Sequence, residues 1–212
     1  DYLLSRCFEM MVEDGSLEVL KLLSTTSAEI SQGEVLQLQY KGEIDMLEET
    51  YLKIISAKTA SLFAAATKVG SILSNKENKI KDALEFYGKN LGLTFQIADD
   101  TLDYNSELKL FGKEIGNDFY EGKVTLPIIL LYQKSNEDEK KKLKELFKKK
   151  DRSVEEFKSI LIMIKKYNII FECYRKAEHF INLASNSLSI FNKSKEKDML
   201  QGLTSFSLER TF

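Results

Sequence analysis

Proline is almost missing from this chain: Pro127 stands alone among 212 residues, with only ten glycines beside it. Frequent strand-and-turn punctuation is thereby excluded, and long stretches are left free to stay helical. Cysteine is scarce as well. Cys7 and Cys173 are too few and too far apart for a disulfide framework or a zinc site, which fits a reducing compartment and predicts a cytoplasmic protein. Neither sign of charge dominates, with 31 basic against 33 acidic side chains and a net charge of −2, so no basic field argues for nucleic acid. No apolar run is long enough to span a membrane; the longest uncharged stretch, Phe180 to Asn192, has 13 residues and several are polar. No signal peptide is visible.

What is present is apolar periodicity. Apolar residues recurring every 3.6 positions predict helices near 1–13, 16–41, 45–74, 77–105, 125–134, 137–149, 153–167, 169–191 and 195–210. The fold class is therefore all-α, a large helical bundle, read as one domain over 1–212. At 1.5 Å per residue the 77–105 helix is about 40 Å long. Gly88 and Gly92, four apart within it, would let another helix approach closely. Residues 106–122 hold three glycines and read as a loop. Thr125 is a candidate N-cap for the next helix, with Pro127 tolerated in its first turn. The lysine-rich segment from Glu139 to Lys150 interleaves charge with Leu143, Leu146 and Phe147, and reads as a solvated amphipathic helix.

Against that background Asp99, Asp100 and Asp103 stand out. They lie in an apolar run, Leu93 to Leu102, and share a helix face with Gln96. Asp99 and Asp103 are i,i+4, a like-charge pair that costs stability unless something neutralises it. No Lys or Arg occupies an i±3 or i±4 position of the three acids. An external countercharge is implied, and a divalent metal is the simplest. Mg²⁺ takes one or two protein carboxylates and completes its shell with water and phosphate oxygens, so this face could hold a diphosphate. The alternative is an acidic turn facing solvent, which the apolar flanks oppose.

Lys58 poses the converse problem. It is the only charge between Ile54 and Thr67, and its i±4 neighbours are Ile54 and Leu62. A lysine is seldom buried without a partner, so an anion from another element is expected, unless the side chain snorkels to the helix edge. In the glycine-rich loop, Lys113, Asp118 and Lys123 would put two ammonium groups near a phosphate. The single histidine, His179, sits in an amphipathic helix and reads as structural.

Taken together, Gly33-Glu34-x-x-Gln37, Lys58-Thr59, Phe95-Gln96-Ile-Ala-Asp99-Asp100-Thr-Leu-Asp103, Gly112-Lys113-x-x-Gly116-x-Asp118, Gly122-Lys123-x-Thr125-Leu-Pro127 and Gly202-Leu203 to Arg210 resemble the trans-prenyltransferase family of isoprenyl diphosphate synthases, its long-chain, octaprenyl-like group above all. The resemblance covers essentially the whole chain. It implies a helical bundle of the isoprenoid synthase type. It also implies condensation of isopentenyl diphosphate with an allylic prenyl diphosphate. By resemblance Asp99, Asp100 and Asp103 are the second aspartate-rich motif and bind Mg²⁺. Lys58, Lys113 and Lys123 contact the diphosphate, while Thr59 and Gln96 lie beside the allylic carbon. A homodimer is implied too, with contacts near residues 1–41.

One departure matters. The family carries a first aspartate-rich motif, and basic residues for isopentenyl diphosphate, upstream of the segment matching Asp1 to Leu4; no second DDxxD occurs in this sequence. The chain opens on Asp1 in mid-helix, and an upstream portion is expected. Two alternatives to a working enzyme follow: a catalytically incomplete fragment, or a non-catalytic partner in a heteromeric synthase.

Overall fold

The computed structural model describes residues 2–105 and 115–209. Among these no strand occurs, and the helices run in chain order as α1 (Tyr2–Asp14), α2 (Leu17–Gln39), α3 (Glu48–Ile55), a π-turn (Ser56–Ala60), α4 (Ser61–Leu73), α5 (Asn78–Leu102), α6 (Asn117–Glu121), α7 (Leu126–Lys134), α8 (Glu137–Lys148), α9 (Val154–Lys166), α10 (Ile169–Ser187) and α11 (Lys195–Glu209). No helix among them is long and apolar enough to cross a membrane.

The sequence expectations hold for most of these elements and fail at two places. The helix expected over 45–74 begins at Glu48 and is interrupted by the π-turn. The loop expected over 106–122 contains α6 in its described part, bracketed by Gly116 (φ 92°) and Gly122 (φ 74°) in the left-handed region that glycine enters without penalty. Thr125 does occupy the N-cap of α7 with Pro127 in its first turn, but its hydroxyl makes no capping bond. Helices α8 and α9 each start with a full capping box, Asn136 with Glu139 and Ser153 with Glu156.

The long helix α5 is the axis of the bundle, packed by α4 on one side and α10 on another. Its glycines make the first of these contacts possible. A Cβ added at Gly88 would fall 2.4 Å from the Phe63 carbonyl oxygen, and one at Gly92 would fall 2.6 Å from Ala60 Cα. Behind this pair lies the main core, where α7 is buried all round through Leu126, Ile128, Ile129 and Leu131, as a helix without a polar face must be. Helix α8 buries Leu143, Leu146 and Phe147 and turns its lysines outward. There Lys140 pairs with Glu137, and Lys144 with Asp45 at 3.3 Å. The lysine run is thus a solvated face.

Candidate active site

The π-turn organises the site. It closes with the Ser61 N–H donating to the Ser56 carbonyl, five residues back, which adds one residue to the turn and breaks the side-chain register of the helix. Two glycines accommodate the swollen backbone: a Cβ on Gly33 of α2 would lie 2.6 Å from Lys58 N, and Gly92 faces Ala60 from α5. Lys58 and Thr59, adjacent in sequence and so pointing to different sides of the helix, serve different helices. Lys58 Nζ lies 2.5 Å from Glu34 Oε2 and donates to Gln37 Oε1 at 2.7 Å, both on α2. The anion that the sequence demands for Lys58 is Glu34. Thr59 Oγ1 instead donates to Gln96 Oε1 of α5 at 2.8 Å.

From Gln96 the hydrogen bonds continue inward. Its Nε2 donates to Asp100 Oδ1 at 2.8 Å, and the Tyr51 hydroxyl donates to Asp100 Oδ2 at 2.7 Å. Asp100 is buried, 5 % exposed. Burial first, and then the charges of Asp118 and Asp99, push its carboxyl up to about 8 despite those two bonds. Burial also drives the Tyr51 hydroxyl well above its ordinary value, with Asp100 adding to the effect.

Asp103 is engaged differently. Its Oδ1 accepts the Gly116 and Asn117 amides at 3.0 and 3.1 Å, and its Oδ2 accepts the Asp118 amide at 2.8 Å. The carboxylate thereby fastens the start of α6 to the end of α5. Asp118 follows, mostly buried, and burial together with the Asp103 charge raises its carboxyl to about 6 while Lys123, 3.4 Å away, opposes the shift. Lys123 also pairs with Glu121 at 2.8 Å. The carboxyl of Glu121 is held low by Lys123 first, with smaller contributions from Lys41 and Lys58, so the loop and the π-turn border one region.

The sequence-derived residues therefore meet in part. Thr59, Gln96 and Asp100 form one hydrogen-bonded group, Lys58 beside Thr59 is bonded to α2 instead, and Asp103 joins Lys123 through the α6 turn. Asp99 is exposed at the mouth. Lys113 lies outside the described residues, as do Gly112 and Arg210. His179 is exposed, its ring edge-on to Phe180 on α10. One participant, Tyr51, carries no functional sign in the sequence and looks like any core aromatic; Asp118, singled out with Lys113 and Lys123 in the loop, has no task of its own there.

Among the described residues no three acids converge into a ready-made metal cage. The donor set nonetheless suits Mg²⁺, which needs only one or two protein carboxylates. Asp99 is open, and Asp100 and Asp118 sit in a field of like charge that a divalent cation would relieve.

The fold fixes the class first. It is the all-α isoprenoid synthase fold: a polyprenyl synthase from Caulobacter crescentus, solved in complex with calcium and isoprenyl diphosphate, superposes with a TM-score of 0.94 at 34 % identity, covering 100 % of this chain and 65 % of that one. A decaprenyl diphosphate synthase from Rhodobacter capsulatus superposes equally well, TM-score 0.94 at 33 % identity over 100 % of this chain and 65 % of that one. The polyprenyl synthetase family model matches residues 1–164, and this chain belongs to that family. Among curated relatives, the all-trans-nonaprenyl-diphosphate synthase of Rhodobacter capsulatus is 33 % identical over 99 % of this chain and 64 % of its own length. The octaprenyl diphosphate synthase of Escherichia coli is 43 % identical over 61 % of this chain and 40 % of its own length. The chain thus spans less than two thirds of these relatives.

Proposed function

We propose that this chain carries the allylic-diphosphate wall of a trans-prenyltransferase. In the reaction an allylic prenyl diphosphate loses its diphosphate, the isopentenyl diphosphate double bond attacks the allylic carbon, and a proton leaves as the new carbon–carbon bond is completed. The observation that carries this reading is the hydrogen-bonded series Thr59–Gln96–Asp100–Tyr51, which ties the lysine-bearing π-turn to the acidic end of α5. Asp99, with Asp100 and Asp103 beside it, would hold Mg²⁺. Bound there, the metal would withdraw charge from the departing diphosphate. Lys58, Lys113 and Lys123 supply fixed positive charge to the same oxygens. The Thr59 and Gln96 oxygens face the carbon that becomes electron-poor. Buried Asp100 keeps Gln96 oriented, its carboxyl accepting the amide N–H so that the amide oxygen remains turned toward Thr59.

Our reading of the product is a long, octaprenyl-like chain made in the cytoplasm. Relatives range from a geranylgeranyl diphosphate synthase of Saccharolobus solfataricus to the nonaprenyl and decaprenyl synthases named above, so product length is the finer part of the proposal. A second reading draws on the heptaprenyl diphosphate synthase component 2 of Bacillus subtilis, 31 % identical over 100 % of this chain and 60 % of its own length and named as one component. This chain would then work only beside a partner. The test is prenyl transfer from radiolabelled isopentenyl diphosphate to geranyl and farnesyl diphosphates, by the chain alone and with a partner supplied. Magnesium-dependent extension is the expected result. No extension under either condition would refute the assignment.

A homodimer fits the same reading. Helix α1 exposes Tyr2, Leu3, Leu4, Phe8, Met10 and Val12, apolar surface that a second copy of the chain would cover. Light scattering should return twice the 24.3 kDa chain mass, and a strictly monomeric result would count against the dimer.

A further inference from the structure

Arg152 lies in the α8–α9 turn, about thirty residues beyond α6, and among the described residues no carboxylate bonds its guanidinium. Its Nη2 donates to the Phe147 carbonyl at 2.8 Å and its Nη1 to the Tyr120 carbonyl at 3.4 Å. The group rests over the Phe147 and Phe119 rings, at 5.1 and 5.8 Å from their centroids. Its Nε is buried without a partner. A half-buried guanidinium that spends its hydrogen bonds on two backbone carbonyls and leaves its Nε–H unpaired is a costly way to pack a surface turn, since part of the lost hydration is not returned.

What the arrangement does hold is α6. Gly122, which ends that helix, lies so near the guanidinium that a Cβ would sit 3.0 Å from Nη1 and Nη2. At the other end of the same helix Gly116 faces Phe157 of α9, whose ring would meet a Cβ at 2.7 Å. Phe157 in turn packs on Tyr104, Phe119 and Tyr120, with ring centroids at 6.0, 5.3 and 5.6 Å. Both ends of a five-residue helix are thus gripped by side chains from the α8–α9 hairpin. The inner side of that helix presents the three amides that hold Asp103, and it carries Asp118 beside Lys123.

We propose that Arg152 is a positioning residue: with Phe157 it fixes the α6 turn, and so sets Asp118, Lys123 and the Asp103 latch for a metal-bound diphosphate. The ligand named here rests on the prenyltransferase reading; the mechanical part does not. A five-residue helix is too short to persist on its own hydrogen bonds, so its geometry must come from outside it. Residues that lock functional groups without touching the ligand commonly change affinity by about 10–100-fold when lost.

The experiment uses the full chain with Arg152→Lys, which keeps the charge and loses the planar fork, and Arg152→Gln as a second variant. Amide exchange is followed by NMR at Gly116, Asn117 and Asp118, with buried Ala177 of α10 as the reference for global folding. Affinity for Mn²⁺ with pyrophosphate is measured by electron paramagnetic resonance. Both variants should speed exchange at 116–118 at least tenfold, leave Ala177 unchanged, and weaken Mn²⁺–pyrophosphate by about tenfold. Unchanged exchange at 116–118 would overturn the positioning role whatever the affinity does. So would faster exchange with undiminished affinity, or a rise at Ala177 equal to that at 116–118. Failure of the parent chain to bind Mn²⁺–pyrophosphate, with exchange still responding to the substitutions, would leave α6 anchored by Arg152 and remove the ligand assignment, which is the failure of the prenyltransferase reading.

Discussion

Asp99→Ala should abolish most magnesium-dependent pyrophosphate binding, while Asp45→Ala should leave it unaltered. Both are exposed aspartates near helix ends, so the pair separates site chemistry from surface charge. Asp45 meets only Lys144 at 3.3 Å, at an exposed ion pair worth little. Asp99 is the open acid among four that crowd the end of α5, and the other three already have tasks. Asp100 accepts from Tyr51 and Gln96, Asp103 accepts three amides, and Asp118 faces Lys123. Removing Asp99 takes away the carboxylate that can reach a metal without dismantling the site. A loss of about 10²–10³ in kcat/KM is expected, on the scale of removing one preorganised charge-stabilising group. Lys58→Ala should cost a similar factor, through lost cation rather than lost packing. Prenyl-transfer kinetics read the kcat/KM loss in both variants, isothermal calorimetry with Mg²⁺ and pyrophosphate reads the binding, and equal behaviour of Asp99→Ala and Asp45→Ala would contradict the site.

The second large effect is on stability against pH in the absence of divalent metal. The Asp100 carboxyl is raised from its ordinary 3.8 to about 8 by burial and by neighbouring acids. A group raised on folding contributes most when protonated in both states, and its contribution is lost as pH climbs through the folded value. Asp118, raised to about 6, has the same sign. In EDTA the melting temperature should therefore fall from pH 5 to pH 8, as the unfolding free energy drops with a slope approaching about 1.4 kcal/mol per pH unit for each group titrating. Asp100→Asn should flatten most of that fall. Mg²⁺ with pyrophosphate should raise the melting temperature more at pH 8 than at pH 5. A wild-type profile flat across this window would show that these carboxyls are not strained by burial.

The fold was legible in the sequence because helix period and punctuation agreed nearly everywhere. Where they diverged, the cause is local. Residues 56–60 look like uninterrupted helix, since a π-turn leaves no compositional mark; what betrays it is Gly33 on another helix, whose Cβ would meet the Lys58 backbone. Helix α6 was hidden among glycines that do mark turns, here at both of its ends. The candidate site was readable where charge sat in apolar surroundings without a local partner, as at Lys58 and Asp100. It was unreadable at Tyr51 and Arg152. One is a tyrosine on a buried helix face, and the other an arginine in a polar turn, so neither breaks a pattern. Only three-dimensional proximity gives them meaning.

The swollen turn at Ser56–Ala60 has a broader implication. A regular α-helix through the same residues would satisfy its backbone at least as well, and nothing in the local composition disfavours it. The irregular form persists because Gly33 and Gly92 leave room for it on both flanks. From the flanks that these glycines open, Lys58 addresses α2 and Thr59 addresses α5. A substitution that smoothed this segment into ideal geometry would shift the side-chain register beyond it, so a more regular backbone would come at the expense of the Lys58–Gln37 and Thr59–Gln96 pairings.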